Sequence, residues 1–278
     1  MVVNRGLTMF WFLIFFWIVR VGSVPIKNFK NTIAIDKDSS TSMGIQHRKG
    51  HWVEPPETVQ GDLSVTEISG IEQAVVEGDL LLSDERLAVD SLWPPIDGIT
   101  SIPYKLSDSL TERKQTILAG FKMISDPTCI HFHEYTNEQN YLNIIPGKGC
   151  ASYVGFQGGA QNVFFDSSCS SGNLCHEIMH ALGLHHEHTR PDRDSFITIQ
   201  WEAVVPEKKS NFMIKQGNTQ GLAYDTESIM HYGNSYFSAN GNPTIIPKDK
   251  GVDMGQRTHL SPLDIIRLNK LYHCGESE

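Results

Sequence analysis

The run from His176 to Asp194, HEIMHALGLHHEHTRPDRD, concentrates the metal-ligating side chains of this 278-residue chain. His176 and His180 are one turn apart on an α-helix, so both imidazoles leave the same face. Two such rings reach one tetrahedral zinc ion, and Glu177 between them can take a proton from water at that metal. The third ligand needs a change of direction, because His186 would leave the ligand face if the helix simply continued. Gly183 supplies it: without a Cβ it enters the left-handed region and turns the chain beneath the metal. Three neutral nitrogens, an open position and an adjacent carboxylate make a hydrolytic zinc site of the zinc-peptidase kind. His185 competes as third ligand by adjacency but misses the template spacing. His185 and His188 read as ordinary polar loop residues. Cys175 points about 100° away from the ligand face and reads as a buried small apolar side chain.

The elements that must position this helix come mostly before it. Ile102-Pro103-Tyr104 reads as a first strand, and Ser109-x-x-Glu112 as a capping box opening a helix with Ile117, Leu118, Phe121 and Ile124 on its apolar face. Ile130, Phe132 and Glu134 alternate as a strand, with further strands expected at Tyr141–Ile145, Ala151–Phe156 and Asn162–Phe165. After the zinc helix, Phe196–Trp201 is short and β-prone and loops follow. Ser261-Pro262-Leu263-Asp264 then caps a last helix carrying Ile265, Leu268 and Tyr272. The expectation is an α+β domain split by its cleft, with mixed sheet and helices in the first half, and loops plus a terminal helix in the second.

A net charge of −9 with no dense basic stripe argues against nucleic-acid binding. At the start, Arg5 precedes the apolar run Met9–Val19, which is too short to span a bilayer, and small residues follow. Residues 1–23 therefore read as a signal peptide cleaved after Ser23, which implies secretion into an oxidising compartment and no membrane association after its removal. From Val24 to Arg86 the chain is polar, with a short helix expected around Leu63–Ala74; alone it cannot bury enough apolar surface to fold. It reads as an extension, or as a pro-segment that folds against the domain it guards, 87–278. Five cysteines, Cys129, Cys150, Cys169, Cys175 and Cys274, give two bridges and one thiol, in a connectivity that spacing does not fix.

HEIMHALGLHHEHTRPDRD followed by Ser228-Ile229-Met230-His231-Tyr232 resembles the astacin family of metzincin zinc endopeptidases, over Ala88 to Cys274. The hatching-type flavour of the sequence suggests egg or matrix coats as substrate. The resemblance implies a metzincin-type catalytic domain holding one Zn2+. It makes Met230 a hydrophobic floor under the three histidines, and Tyr232 an additional zinc ligand that swings away to stabilise the transition state. Glu187 would pair with the new N-terminus after a trypsin-like protease cuts near Arg86, freeing Leu87 or Ala88. Val76-Glu77-Gly78-Asp79 resembles the family's latency motif, with valine for its aromatic; Asp79 would take the water position on zinc. The likeness also implies the pairs Cys129–Cys274 and Cys150–Cys169, and puts Arg257 near the pocket that receives the residue after the cut, favouring an acidic side chain. Without the resemblance, Met230 is a core methionine, Tyr232 a partly buried tyrosine, Glu187 a loop charge and Arg257 a partner in a structural ion pair.

The function so expected is a secreted zymogen that hydrolyses polypeptides, with Glu177 as general base and with peptide substrates and an activating protease as partners. The alternative is a catalytically silent zinc protein that binds peptides. Glu177 weighs against it, since a silent relative has no use for that carboxylate.

Overall fold

A buried centre, Ile102-Pro103-Tyr104, marks the first long strand of the domain. In Thr100–Leu106, Ile102 and Tyr104 are buried while Lys105 is exposed. The computed structural model describes residues 75–81, 91–95 and 99–275. The expected signal peptide, the short helix around Leu63–Ala74 and the cut near Arg86 lie outside them. Among the described residues no helix is long and apolar enough to cross a membrane.

The described residues form nine strands and three α-helices. In order they are β1 (Val75–Val76), β2 (Leu80–Leu81), β3 (Thr100–Leu106), α1 (Lys114–Ser125), β4 (Ile130–Glu134), β5 (Tyr141–Ile145), β6 (Cys150–Ser152), β7 (Ala160–Phe165), α2 (Ser171–Ala181), β8 (Ile197–Ile199), β9 (Ile245–Pro247) and α3 (Pro262–Leu271). Seven strands form one mixed sheet in the order β1-β2-β6-β7-β5-β3-β4. β3 runs parallel to β4 and β5, β5 parallel to β7, and β6 antiparallel to β7. α1 and α2 bury Ile117, Phe121, Ile124, Leu174 and Ile178 against Ile102, Leu142, Ile144 and Val163 of the sheet. Full burial of such side chains is worth about 1.5–3 kcal/mol each. That core fixes the helix that carries the histidines. The α+β class and the division at α2 are those expected.

The details depart from expectation in three places. No capping box forms at Ser109: residues Asp108–Arg113 make a 3-10 turn, α1 starts at Lys114, and Ser109 Oγ bonds Ser107 Oγ at 2.9 Å. The tighter i→i+3 winding leaves Ser109 inside the turn, where it caps nothing. The expected strand Ala151–Phe156 is only β6, because Gly155 bends the chain at φ 74° and donates its N–H to the carbonyl of His180 at 2.9 Å. Phe196–Trp201 narrows to β8, whose partner β9 was unforeseen. Of the polar segment 24–86, the described residues 75–81 fold against the domain, one of the two expectations for it: β1 and β2 form a small hairpin, and β2 adds to the edge of the sheet parallel to β6. The extra strand is stabilised by an edge it does not own.

Disulfides join Cys129 to Cys274 and Cys150 to Cys169, and Cys175 is a buried free thiol. The first spans 145 positions and ties α3 back to the start of β4. A loop that long is worth on the order of 5 kcal/mol in the chain-entropy model.

Candidate active site

α2 is fixed at both ends. Ser170 and Asn173 make a reciprocal capping box at its start. At Gly172 a Cβ would lie 1.7 Å from the carbonyl oxygen of Arg257, so only glycine lets that segment come so close. At the other end, Trp93 Nε1 donates to the carbonyl of Ala181 at 3.0 Å and Tyr272 Oη to that of Leu182 at 3.0 Å. Gly183 then takes φ 104°, ends the helix and returns the chain toward the site.

That return brings three imidazoles together. The Nε2 atoms of His176, His180 and His186 lie 3.1, 3.2 and 3.3 Å from one another. Asp79 Oδ2 sits 3.1 Å from His176 Nε2 and 3.1 Å from His186 Nε2. A regular tetrahedron of this edge has its centre about 2.0 Å from every corner, which is the zinc–nitrogen and zinc–oxygen distance. All four residues are buried. Burial is the largest influence on His176 and His180; it lowers both, His176 to about 4, and keeps them the neutral ligands a metal requires. Burial alone would raise Asp79 and lower His186. The carboxylates of Asp79 and Glu77 instead push His186 up to about 9, and the facing imidazoles hold Asp79 well below the carboxylate range. Two carboxylates against three imidazoles make a pocket that favours positive charge, and one zinc ion fits it.

The outer nitrogens are also engaged. His176 Nδ1 meets the carbonyl of Ile229 at 2.8 Å, and His180 Nδ1 that of Leu184 at 2.7 Å. His186 Nδ1 meets Glu77 Oε2 at 2.9 Å. Such partners set the tautomer that leaves Nε2 for the metal. Ile229 is held in turn: Asp264, the N3 residue of the α3 capping box, accepts from Ile229 N at 2.9 Å and from Ser228 Oγ at 2.6 Å. The capping box was legible in the sequence, but its hold on Ser228-Ile229 was not.

Met230 is fully buried in the same core cluster as Ile178 and Met179, and its carbonyl accepts from the N–H of Glu187 at 3.0 Å. Tyr232 is also fully buried, 4.6 Å from the His186 ring centroid, and its hydroxyl donates to the carbonyl of Glu77. His188 is no ordinary loop residue. It is fully buried, its ring stacks on Tyr232 at 3.8 Å, and its Nε2 donates to the carbonyl of Asn211 at 2.9 Å. The apolar pocket of Phe212 and Tyr232 draws it in, a contact that the polar neighbours of His188 conceal. His185 is partly buried and contributes no nitrogen to the cluster.

Glu177 is buried and borders a small pocket with Asp79, His176, Asn173, Tyr236 and Arg257. Arg257 makes no ion pair among the described residues; its Nη1 donates to the carbonyls of His231 and Gln256 at 3.0 Å each. Glu187 is buried between Arg190 (2.9 Å) and Arg267 (2.5 Å), accepts from the N–H of Asp225 at 2.9 Å, and borders a 270 Å³ cavity with Lys215, Gln220 and Leu271. Cys175 stays out of the cluster. Burial pushes its thiol far up, away from the thiolate a metal binds.

Three histidines and a carboxylate converging at the break of an α+β domain define a four-donor site that suits zinc, with three of the donors in the His-x-x-x-His and following His pattern of zinc peptidases. Residues 90–273 match the family model of the astacin peptidases, and the chain belongs to that family. It is 40% identical over 216 residues to the embryonic protein UVS.2 of Xenopus laevis; the match takes in 74% of this chain but only 41% of that longer relative. It is 39% identical over 215 residues to the low choriolytic enzyme of Oryzias latipes, spanning 73% and 79%. The solved structure of high choriolytic enzyme 1, a hatching enzyme zinc-protease of Oryzias latipes, superposes with a TM-score of 0.65 at 36% identity, covering 69% of this chain and all of that one. The fold is the metzincin fold of that family, and its cofactor is zinc, one ion per chain.

Proposed function

We propose that this chain is a secreted zinc endopeptidase made as a zymogen, with residues 1–23 a signal peptide, 24–86 the pro-segment and 87–278 the catalytic domain. The observation that carries the reading is Asp79: a carboxylate from the polar N-terminal segment, 97 positions before His176, completes the donor set of the three histidines. A resident carboxylate there excludes water, and β2 covers the edge of β6 on which an extended peptide would lie. Both obstructions come from the same segment.

His176, His180 and His186 would hold the zinc, which would supply a Lewis acid for activating water near neutral pH and polarising a carbonyl. Glu177 takes the proton of the attacking water and delivers it to the leaving amine. The Tyr232 hydroxyl, once released by Glu77, would donate to the oxyanion that develops on the scissile carbonyl, and would be an additional residue to hold the metal in the resting processed enzyme. Met230 closes the floor of the site. Arg257, bordering the same pocket as Glu177, offers its charge to an acidic side chain after the cut. Glu187, bordering its own cavity, receives the amino group at Leu87 or Ala88 that a trypsin-like cut near Arg86 frees. The likeness to choriolytic enzymes favours proteins of an egg or matrix coat as substrates.

The test is peptide cleavage by the zinc-loaded full chain before and after limited trypsin digestion, with the new N-terminus sequenced. The uncut chain should be silent, and the cut chain should hydrolyse peptides and begin near Leu87. A cut chain that keeps its zinc yet cleaves nothing in a broad peptide library would be a silent peptide-binding protein.

A further inference from the structure

The three imidazoles do not find their outer partners in the same part of the chain. His176 and His180 rely on the carbonyls of Ile229 and Leu184, within the family-matched region. His186 relies on the Glu77 carboxylate, at 2.9 Å and 109 positions away, from the segment that shuts the site. Glu77 is placed with unusual firmness. Its carboxylate also pairs with Lys215, its N–H donates to Asn211 Oδ1 at 3.2 Å, and its carbonyl takes the Tyr232 hydroxyl. Its backbone sits at φ 55°, which a non-glycine residue holds only where its surroundings over-determine it. Glu77 is 4% exposed, so the Lys215 ammonium offsets a charge that water does not reach.

We propose that Glu77 is a positioning residue for the metal: in the uncleaved chain its carboxylate orients the His186 ring, fixes the proton on Nδ1 and turns Nε2 to the zinc. A carboxylate behind a ligating histidine also raises the basicity of the ligand. The segment that blocks the site therefore strengthens the site's hold on its metal, and the processed chain, having lost Glu77 together with the Asp79 donor, holds zinc less tightly. Only this last consequence rests on the zymogen reading; the role of Glu77 itself is measured before any cut.

The experiment follows zinc loss to a chelator from the uncleaved full chain, together with the visible spectrum of its cobalt-substituted form. Glu77→Gly deletes the carboxylate while suiting the left-handed backbone, and Glu77→Gln keeps the length of the side chain that anchors the segment. Zinc affinity should fall by about 10- to 100-fold and the cobalt bands should shift, with Glu77→Gln in between because its amide oxygen still accepts a hydrogen bond. The zinc affinities of trypsin-processed wild type and both variants should then coincide. Variants that keep zinc within about two-fold of wild type, far inside the range typical of such partners, with unchanged cobalt bands, overturn the proposal. A chain that trypsin cannot activate overturns the zymogen reading instead, and leaves the comparison of uncleaved chains intact.

Discussion

Glu177→Gln in the processed chain should lower peptide hydrolysis by about 10²–10⁴-fold, the usual worth of a positioned general base. Its zinc content should remain at one ion per chain. The separation is expected because the ligand atoms converge without any contribution from Glu177. Glutamine keeps the shape of the side chain and removes only its ability to accept the proton of water. Hydrolysis and metal content, measured on the same sample, decide it. An active Glu177→Gln chain would assign the proton transfer elsewhere, and loss of zinc would make Glu177 part of the metal's support.

The second large effect concerns the latch. Asp79→Ala in the uncleaved chain should raise peptide hydrolysis by at least about ten-fold over uncleaved wild type, since one charge-assisted contact is worth about 1.5–3 kcal/mol. Activity should still fall short of the processed chain. β2 would remain on the β6 edge, and Glu77 would continue to hold the Tyr232 hydroxyl. Hydrolysis by chains protected from trypsin measures this directly. A zinc-loaded Asp79→Ala chain as silent as wild type would mean that strand β2, rather than Asp79, keeps the site shut.

The sequence displayed some of this site more openly than the rest. HExxHxxGxxH could be read because helical period and one glycine at φ 104° are local rules. The cap of α3 at Ser261 was equally local. What could not be read depends on contacts between distant positions. Nothing near Glu77 announces that it reaches His186, and its left-handed backbone is unusual for a glutamate. His188 sits among polar residues and is buried only because Tyr232 and Phe212, far along the chain, make a pocket for it. β2 owes its existence to the edge of β6, and β9 has too few residues to show a period of its own. Local pattern located the three histidines that converge, whereas the partners of their outer nitrogens come from the fold.

Zinc X-ray absorption on the uncleaved full chain tests the central claim most directly, because it reads the donor set itself. The predicted result is one zinc per chain with four light donors at about 2.0–2.1 Å, three of them imidazoles and one the oxygen of Asp79. In Asp79→Ala the imidazole scattering should persist while the oxygen donor becomes exchangeable solvent. A sulfur neighbour at about 2.3 Å would bring Cys175 into the site, and fewer than three imidazoles would remove a histidine; either result would contradict the account.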